Sequence, residues 1–312
     1  MISYTSNHIR RLGDVNRKEP MTDTFVAAEL ASQPSTWREA ERIAPSFAAA
    51  LPQKGERVAV VGCGTSWFIA MSYAILREQA GHGITDAFAG SEYPTNRDYD
   101  RVIAISRSGT TTEIITLLTE LPAAETVLIT AVADSPAADV AKHVIGLPFA
   151  EERSVVQTRF ATTALALLRA NLGENVESLA IDAEAALEVP IDDLIDADQV
   201  TFIGRGFAIG LTFEAALKTR EAAQFWAESY PSMDYRHGPI AIAQPGRLVW
   251  SFDEPPVGLT EDVAATGATF VHHDLDPMAG LIVAQRFAVA LALARGLNPD
   301  QPRSLTRSVI LA

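Results

Sequence analysis

Four hydroxyl side chains and a glycine crowd into one six-residue turn, residues 106–111. The apolar run 102–105 before it is typical of a buried parallel strand, and residues 112–121 after it carry apolar side chains at helical spacing. Unpaired backbone N–H groups and the helix dipole favour an anion at a helix start. Gly109 lets the backbone approach such an anion, and Arg107 could add a charged contact to it. An ordinary helix cap is the alternative, because Ser and Thr are common there. The density of hydroxyls after a buried strand favours a phosphate site.

Two acidic side chains and a lysine form a second candidate site further along the chain. Glu214, Lys218 and Glu221 recur at helical spacing and therefore share one face of a helix. They could form a solvated face with a weak ion pair. Because several neighbours are apolar, the face could instead line a pocket in which a glutamate acts as a general base and the lysine holds it ionised. His237 follows in a short turn, residues 235–239, and both interpretations stay open at this point.

Strand and helix patterns alternate over the first half of the chain. The predicted strands lie at residues 57–61, 87–89, 102–105, 126–131 and 143–147. This alternation indicates a doubly wound parallel sheet. Ligands bind such sheets at the carboxyl ends of strands, where the strand order reverses, and the turns 62–66 and 106–111 both follow strands.

The same pattern restarts near residue 200. A strand at 200–203 leads into a G-x-G turn at 204–206 and a helix at 209–227, as the first strand leads into the G-x-G of residues 62–64. Later strands are predicted at 248–252 and 269–272. We therefore predict an α/β fold with two tandem doubly wound, flavodoxin-like parallel-sheet units.

The predicted organisation is a polar tail at 1–24, a first unit at 25–180 and a second unit at 181–312. The second unit lacks a counterpart of the hydroxyl-rich turn, because its corresponding strand ends in Ser-Phe-Asp-Glu at 251–254. We therefore expect one phosphate site per chain, in the first unit.

The composition narrows the expected partners and location. The 312 residues carry a formal net charge of −14 without a basic stripe, so nucleic acid is not an expected partner, and local donors must hold any phosphate. Cys63 is the only cysteine, which excludes an intrachain disulfide and fits a cytoplasmic location. No apolar run is expected to approach a membrane span, and the N-terminus lacks a signal-peptide pattern.

The G-x-G turn after the first strand is also a weak sign of a dinucleotide site. The sequence GCGTSW lacks the third glycine of that fingerprint, and no acidic residue clearly ends the next strand. We therefore expect no nicotinamide cofactor.

Five motifs in this order resemble the sugar isomerase (SIS) domain family. They are GCGTS at 62–66, ISRSGTT at 105–111, EAALKTRE at 214–221, RHGP at 236–239 and DQPRSLTRSV at 300–309. The similarity is greatest to the isomerase half of glucosamine-6-phosphate synthases. It implies a tandem pair of SIS domains, usually dimeric, which bind a hexose 6-phosphate and use no metal or redox cofactor.

The resemblance also implies roles for individual residues. The side chains that resemble phosphate ligands are Ser106, Ser108 and Thr111, with Thr65 and Ser66 close by. Glu221 resembles the base that moves a proton between sugar carbons 1 and 2, and Lys218 resembles its neighbour in the site. His237 resembles the ring-opening residue, which the partner subunit contributes, so a homodimer with a shared active site is expected. One carboxylate can make both proton transfers, and histidine titrates near neutrality.

The sequence departs from the synthase pattern in three places. No glutamine-hydrolysing half precedes these motifs, and Cys63 lies in a strand–turn, so no glutaminase activity is expected. Arg307, a candidate tail contact, stands where the synthase has a lysine, and arginine cannot form a Schiff base. Arg107 replaces the usual glutamine.

Several activities fit this resemblance. We predict deamination and isomerisation of glucosamine 6-phosphate to fructose 6-phosphate, because all five motifs match the amino-sugar enzyme. An aldose–ketose isomerase and a fructosamine-phosphate deglycase are the alternative enzymes. A non-catalytic sugar-phosphate sensor is the alternative outside enzymes, but such proteins usually carry a helix-turn-helix, and residues 1–50 lack a basic pair of helices.

Overall fold

The computed structural model describes residues 24–121 and 125–311. Within these ranges the chain forms nine β-strands and ten α-helices. The strands are β1 Val58–Gly62, β2 Thr85–Ala89, β3 Arg101–Ile105, β4 Glu125–Thr130, β5 His143–Gly146, β6 Gln199–Gly204, β7 Ala227–Pro231, β8 Arg247–Ser251 and β9 Thr269–His272. The helices are α1 Phe25–Ala31, α2 Gln33–Ile43, α3 Thr65–Gln79, α4 Thr112–Glu120, α5 Pro136–Val140, α6 Arg159–Asn171, α7 Val176–Glu188, α8 Ala208–Ala223, α9 Leu259–Thr266 and α10 Pro277–Ala294. The predicted α/β class is confirmed.

The first five strands form one parallel sheet in the order β2-β1-β3-β4-β5. Because β1 pairs with both β2 and β3, the strand order reverses between β1 and β3. Val61 pairs with Ala104, which aligns the ends of these two strands at the same edge of the sheet. The turns 62–66 and 106–111 therefore start side by side, at the position where such sheets bind ligands.

The last four strands form a second parallel sheet in the order β7-β6-β8-β9. This order repeats that of the first four strands of the first sheet. The sequence predicts a helix up to residue 227, but α8 ends at Ala223, because Gln224 adopts the left-handed conformation that terminates helices. The chain then enters β7, an edge strand beside β6 that the sequence does not predict.

Alternate residues of the central strands belong to different hydrophobic cores. On β1, Val58 and Val60 belong to a large core that draws on both sheets, whereas Ala59 and Val61 belong to a smaller core with α4. Burial on both faces explains why the strands are apolar throughout rather than alternating. Helix α8 packs against α3 and α10, so the face with Lys218 comes close to the start of α3.

Helix α10 corrects one expectation from the sequence. It has the length and apolar composition of a membrane span, although no run was expected to approach one. Of its 18 residues, 72% are buried inside the protein, as in the core helix of a soluble protein. Packing within the large core therefore accounts for its apolar composition.

Two parts of the predicted domain organisation stay predictions. The polar tail predicted at 1–24 lies outside the described residues, apart from Thr24. The boundary predicted between residues 180 and 181 falls within α7.

Candidate active site

A cavity of about 210 Å³ lies at the carboxyl edge of the first sheet, between the two polar turns and α8. Nine of the ten site residues predicted from the sequence line it: Thr65, Ser66, Ser106, Arg107, Ser108, Thr111, Lys218, Glu221 and Arg307. His237, the tenth, does not line this cavity; it is exposed at the end of the short helical turn Asp234–His237. The fold therefore brings the turn predicted to bind phosphate, residues 106–111 (the phosphate turn), and the predicted base together within one chain.

The hydroxyl-rich turn is tightly folded by its own side chains. Ser106 Oγ accepts a hydrogen bond from the Gly109 N–H at 3.2 Å, and Ser108 Oγ accepts from the Thr110 N–H at 3.2 Å. Gly109 has φ 63°, and a Cβ atom there would lie 2.0 Å from Ser135 Oγ, so only glycine fits. Each serine oxygen acts as an acceptor here, which leaves its O–H able to donate to a bound anion.

A second pair of hydroxyls lines the same cavity. Thr65 and Ser66 occupy the first turn of α3, are buried and line the cavity. A Cβ atom at Gly62 would lie 2.4 Å from the carbonyl carbon of Ser66, so the glycine permits this close strand-to-helix turn. The first turns of α3 and α4 therefore both face the region where an anion is expected.

On α8, Glu214 and Lys218 are buried and Glu221 is partly buried, which contradicts a solvated face for these three residues. The side chains of Glu214 and Lys218 are 0% and 2% exposed, and that of Glu221 is 19% exposed. Lys218 Nζ donates a hydrogen bond to Glu221 Oε2 and lies 3.6 Å from Glu214 Oε1. Lys218 and Glu221 reach the cavity, whereas Glu214 lies behind them.

The environment of these groups sets their charges. Burial raises the pKa of Glu214 to about 8, against the opposing charge of Lys218. Burial alone would lower the pKa of Lys218, but the carboxyl groups of Glu214 and Glu221 outweigh it and raise that pKa. Near neutral pH the arrangement is therefore a protonated Glu214, an ammonium on Lys218 and the carboxyl group of Glu221 facing the cavity.

Replacing Glu214 with glutamine is expected to stabilise the fold more as the pH rises. In the folded state the Glu214 carboxyl group keeps its proton up to about pH 8, whereas in the unfolded chain the same group loses its proton near pH 4.5. The folded state therefore binds more protons in this window, so wild-type stability falls as the pH rises through it. The difference in unfolding free energy between Glu214→Gln and wild type should grow by up to about 1.4 kcal/mol per pH unit within the window and stay level outside it.

Urea denaturation at several pH values measures this effect. Glu56→Gln is the control of opposite sign. Burial raises the pKa of Glu56, but the hydrogen bonds from Arg101 and the Gln53 N–H and the charges of Arg101 and Arg77 together outweigh burial and lower that pKa. That variant should lose stability relative to wild type as the pH rises through the acid range. A pH-independent difference for Glu214→Gln would contradict a protonated Glu214.

The guanidinium of Arg107 contacts protein groups around the cavity. It donates to the carbonyls of Ser154, Val155 and Arg307, and Nη1 lies 3.5 Å from Glu152 Oε2. In the structure Nη1 and Nη2 contact the loop and the tail, whereas Nε has no hydrogen-bond partner among the described residues. The charged contact from Arg107 to phosphate that the sequence suggests stays a prediction.

The C-terminal tail forms part of the wall of the cavity. Residues 305–309 line it, together with the hydroxyl-rich turn. Arg307 donates to the Glu152 carbonyl at 2.6 Å and to the Glu151 carboxylate, so its side chain is directed at the loop. Thr110 Oγ1 lies 2.9 Å from Ser308 Oγ and 2.8 Å from Ser108 Oγ, so hydroxyl contacts join the tail to the hydroxyl-rich turn.

Some lining residues lie outside the set predicted from the sequence. Val155 and Gln157 come from the loop before α6, and Cys63 comes from the first polar turn. Burial raises the pKa of the Cys63 thiol, and the nearby Glu113 adds to this effect, so the thiol is a weak nucleophile. Among the described residues, no group of three or more His, Cys, Asp and Glu side chains could hold a metal ion.

Comparison with known proteins shows what this sequence and this fold are similar to. Residues 51–171 match the SIS domain family. The glucosamine-6-phosphate deaminase of Thermotoga maritima has the same fold, with a TM-score of 0.77 and 24% identity over 92% of this chain and 100% of that one. Residues 51–171 are therefore similar to SIS domains, and the chain shares the α/β fold of this deaminase.

The particular similarity is to the isomerase half of one enzyme. Glutamine–fructose-6-phosphate aminotransferase (isomerizing) of Sulfolobus acidocaldarius is 26% identical, covering 81% of this chain and 50% of the relative. The C-terminal domain of glucosamine-fructose-6-phosphate aminotransferase from Francisella tularensis shares the fold, with a TM-score of 0.77 and 20% identity over 91% of this chain and 100% of that one. The chain spans about half the length of the curated relatives it matches.

Proposed function

We propose that this protein is an enzyme that transfers a proton between carbons 1 and 2 of a hexose 6-phosphate. One observation carries the proposal: a hydroxyl-rich anion site and a buried Lys218–Glu221 pair line the same cavity. Ser106, Ser108 and Thr111 are the proposed phosphate ligands. Holding the phosphate at one end would place the reactive carbons near α8, which supplies the base.

The reaction that we propose removes the proton from carbon 2 of the open-chain sugar and returns it to carbon 1. Glu221 takes this proton and delivers it, because one carboxylate can serve both neighbouring carbons. Lys218 donates a hydrogen bond to Glu221 and can also donate to the developing oxyanion at carbon 1. With an amino group on carbon 2, the product is an imine, which water hydrolyses to the ketone and ammonia.

Glucosamine 6-phosphate is the substrate that we propose first. The relative from Sulfolobus acidocaldarius acts, by its name, on fructose 6-phosphate and transfers an amino group. Schiff-base formation by a tail residue is not part of the proposal, since Arg307 contacts Glu151 and cannot form one. Aldose–ketose isomerisation and fructosamine-phosphate deglycation use the same proton transfer and are the alternative reactions.

A panel of hexose 6-phosphates and amino-sugar 6-phosphates tests this proposal. Purified protein should release ammonia from glucosamine 6-phosphate and form fructose 6-phosphate in equal amounts. Isomerisation of a neutral hexose phosphate without ammonia release would favour the aldose–ketose isomerase instead. Tight binding of a sugar phosphate with no turnover of any substrate would indicate a sensor and reject the enzyme.

We also propose two tandem SIS units and a homodimer whose two subunits share each active site. The repeated strand order of the two sheets supports the first point. The exposure of His237, away from the cavity of its own chain, supports the second, because the residue remains able to reach the cavity of a partner. In this arrangement His237 opens the sugar ring of a substrate held by the other subunit.

Mixing two inactive variants tests the shared site. Glu221→Gln and His237→Ala subunits should each be inactive alone, whereas mixed dimers regain one intact site and therefore part of the activity. Activity is measured after the subunits have exchanged, with mixed dimers verified by mass spectrometry. Absence of recovery in verified mixed dimers would place the whole site within one chain.

A further inference from the structure

Arg107 joins three segments that surround the cavity. Its Nη1 donates to the Ser154 carbonyl at 3.1 Å, and its Nη2 donates to the carbonyls of Val155 and Arg307 at 3.2 and 3.1 Å. Its own carbonyl accepts from the Ala131 N–H at 3.1 Å, which fixes the turn to the end of β4. One side chain of the phosphate turn therefore holds the main chain of both the loop and the tail.

Glu152 fixes the guanidinium from the opposite side. Glu152 Oε1 accepts from the N–H groups of Thr158 and Arg159 at 2.6 and 2.8 Å, at the start of α6. Its Oε2 lies 3.5 Å from Arg107 Nη1, and both side chains are buried. Separating such a pair leaves an uncompensated buried charge, so Arg107 is held in this orientation rather than turned toward solvent.

We infer that Arg107 is a positioning residue that closes the tail over the cavity. Its role is to hold residues 305–309 against the phosphate turn, so that a phosphorylated sugar bound there is enclosed. This inference rests on the proposed function for its consequence in catalysis, but the attachment of the tail can be tested without any substrate.

The chemistry of the side chain explains why arginine suits this position. The planar guanidinium has five N–H donors in a fixed fork, so it can bind three carbonyl oxygens and face a carboxylate at once. A glutamine offers two N–H donors and no charge, and a lysine offers a compact point charge without the fork. Neither replacement can reproduce all the contacts that Arg107 makes with the loop and tail.

Limited trypsin digestion measures the attachment of the tail. Cleavage after Arg307 requires its carbonyl to leave Arg107 and its side chain to leave Glu151. Arg303, which is also exposed, lies in the same segment and gives an internal reference. We expect Arg107→Gln to raise the ratio of cleavage after Arg307 to cleavage after Arg303 by about tenfold or more, the effect of losing one charge-assisted hydrogen bond. Arg107→Lys, which keeps the charge beside Glu152, should raise the same cleavage ratio by a smaller factor. This variant keeps the test valid if Arg107→Gln fails to fold.

Arg101→Gln is the matched control. Arg101 is also buried on β3, but at the opposite end of the strand, where it forms an ion pair with Glu56 and donates to the Ala50 carbonyl at 3.0 Å. This variant should lose stability and leave the cleavage ratio unchanged. An unchanged ratio in both Arg107 variants, or an equal rise in Arg101→Gln, would overturn the inference.

A kinetic readout separates this inference from the proposed function. In an active enzyme, Arg107→Gln should lower kcat more than it raises KM for the sugar phosphate, because the phosphate ligands remain while the enclosure is lost. A larger change in KM than in kcat would make Arg107 a phosphate ligand and contradict a positioning role. If the wild type turns over no sugar phosphate, the proposed function fails, and the trypsin ratio still decides whether Arg107 holds the tail.

Discussion

Replacing Glu221 with glutamine is expected to lower turnover by about a hundred- to ten-thousand-fold, the range that a general base contributes. Glutamine preserves the size of the side chain and can hydrogen-bond, but it cannot accept a proton. Because the proposed phosphate ligands lie on other elements, at the ends of β1 and β3, binding of the sugar phosphate should change little.

Exchange in heavy water makes this test specific for proton transfer. The wild-type enzyme should exchange the proton at carbon 2 of the substrate with solvent, and Glu221→Gln should not. Glu174→Gln is the control, since Glu174 also pairs with a buried cation, Arg169, but does not line the cavity. If Glu221→Gln retains more than about a tenth of wild-type turnover, the loss is smaller than removal of a general base should cause. The role of base would then pass to Lys218 or His237.

The features that the sequence predicts well are those that depend on local pattern. Buried parallel strands are apolar on both faces, so β3 and β6 are visible as short apolar runs. The polar turn after β3 is visible because the positive φ of Gly109 is a local requirement that favours glycine directly after the strand end. Strand order then follows from the general rule for doubly wound sheets, which brings the ends of β1 and β3 together.

Features that depend on contacts between distant residues could not be predicted in this way. The spacing of Glu214, Lys218 and Glu221 gives a shared helix face, but a solvated face has the same spacing. Only the packing of α8 against α3 and α10 decides that this face is buried. The pKa of Glu214 near 8 follows from that packing, so the sequence alone gives no indication of its charge.

The contacts of Arg107 show the same limit within the candidate site. Among the four hydroxyls of its turn, a cation suggests a phosphate ligand, and nothing nearby in the sequence indicates the contacts with the loop and the tail. Its partner in the tail, the Arg307 carbonyl, is 200 residues away along the chain. The contacts that occupy its donors are main-chain oxygens, which carry no sequence signal.

Replacing Ser108 and Thr111 together with alanine is expected to weaken binding of a sugar phosphate by about 2–4 kcal/mol, since each charged hydrogen bond contributes about 1–2 kcal/mol here. This corresponds to a loss of affinity of about 30- to 1,000-fold. Thr111 is the N-cap of α4 but makes no side-chain cap hydrogen bond, so its loss should spare the helix. Ser108 Oγ does accept from the Thr110 N–H, so thermal unfolding of the double variant must accompany the titration.

Calorimetric titration with a hexose 6-phosphate gives the affinity, and inorganic phosphate as a second ligand isolates the contribution of the anion. Ser91→Ala with Thr116→Ala is the matched control, because these hydroxyls line a neighbouring cavity beside α4 rather than the candidate site. The control should bind both ligands as the wild type does. If the double variant at residues 108 and 111 folds normally and binds with unchanged affinity, the turn does not hold the phosphate. The anion would then be held by the start of α3, where Thr65 and Ser66 lie, and the sugar would have to lie in a different orientation relative to Glu221.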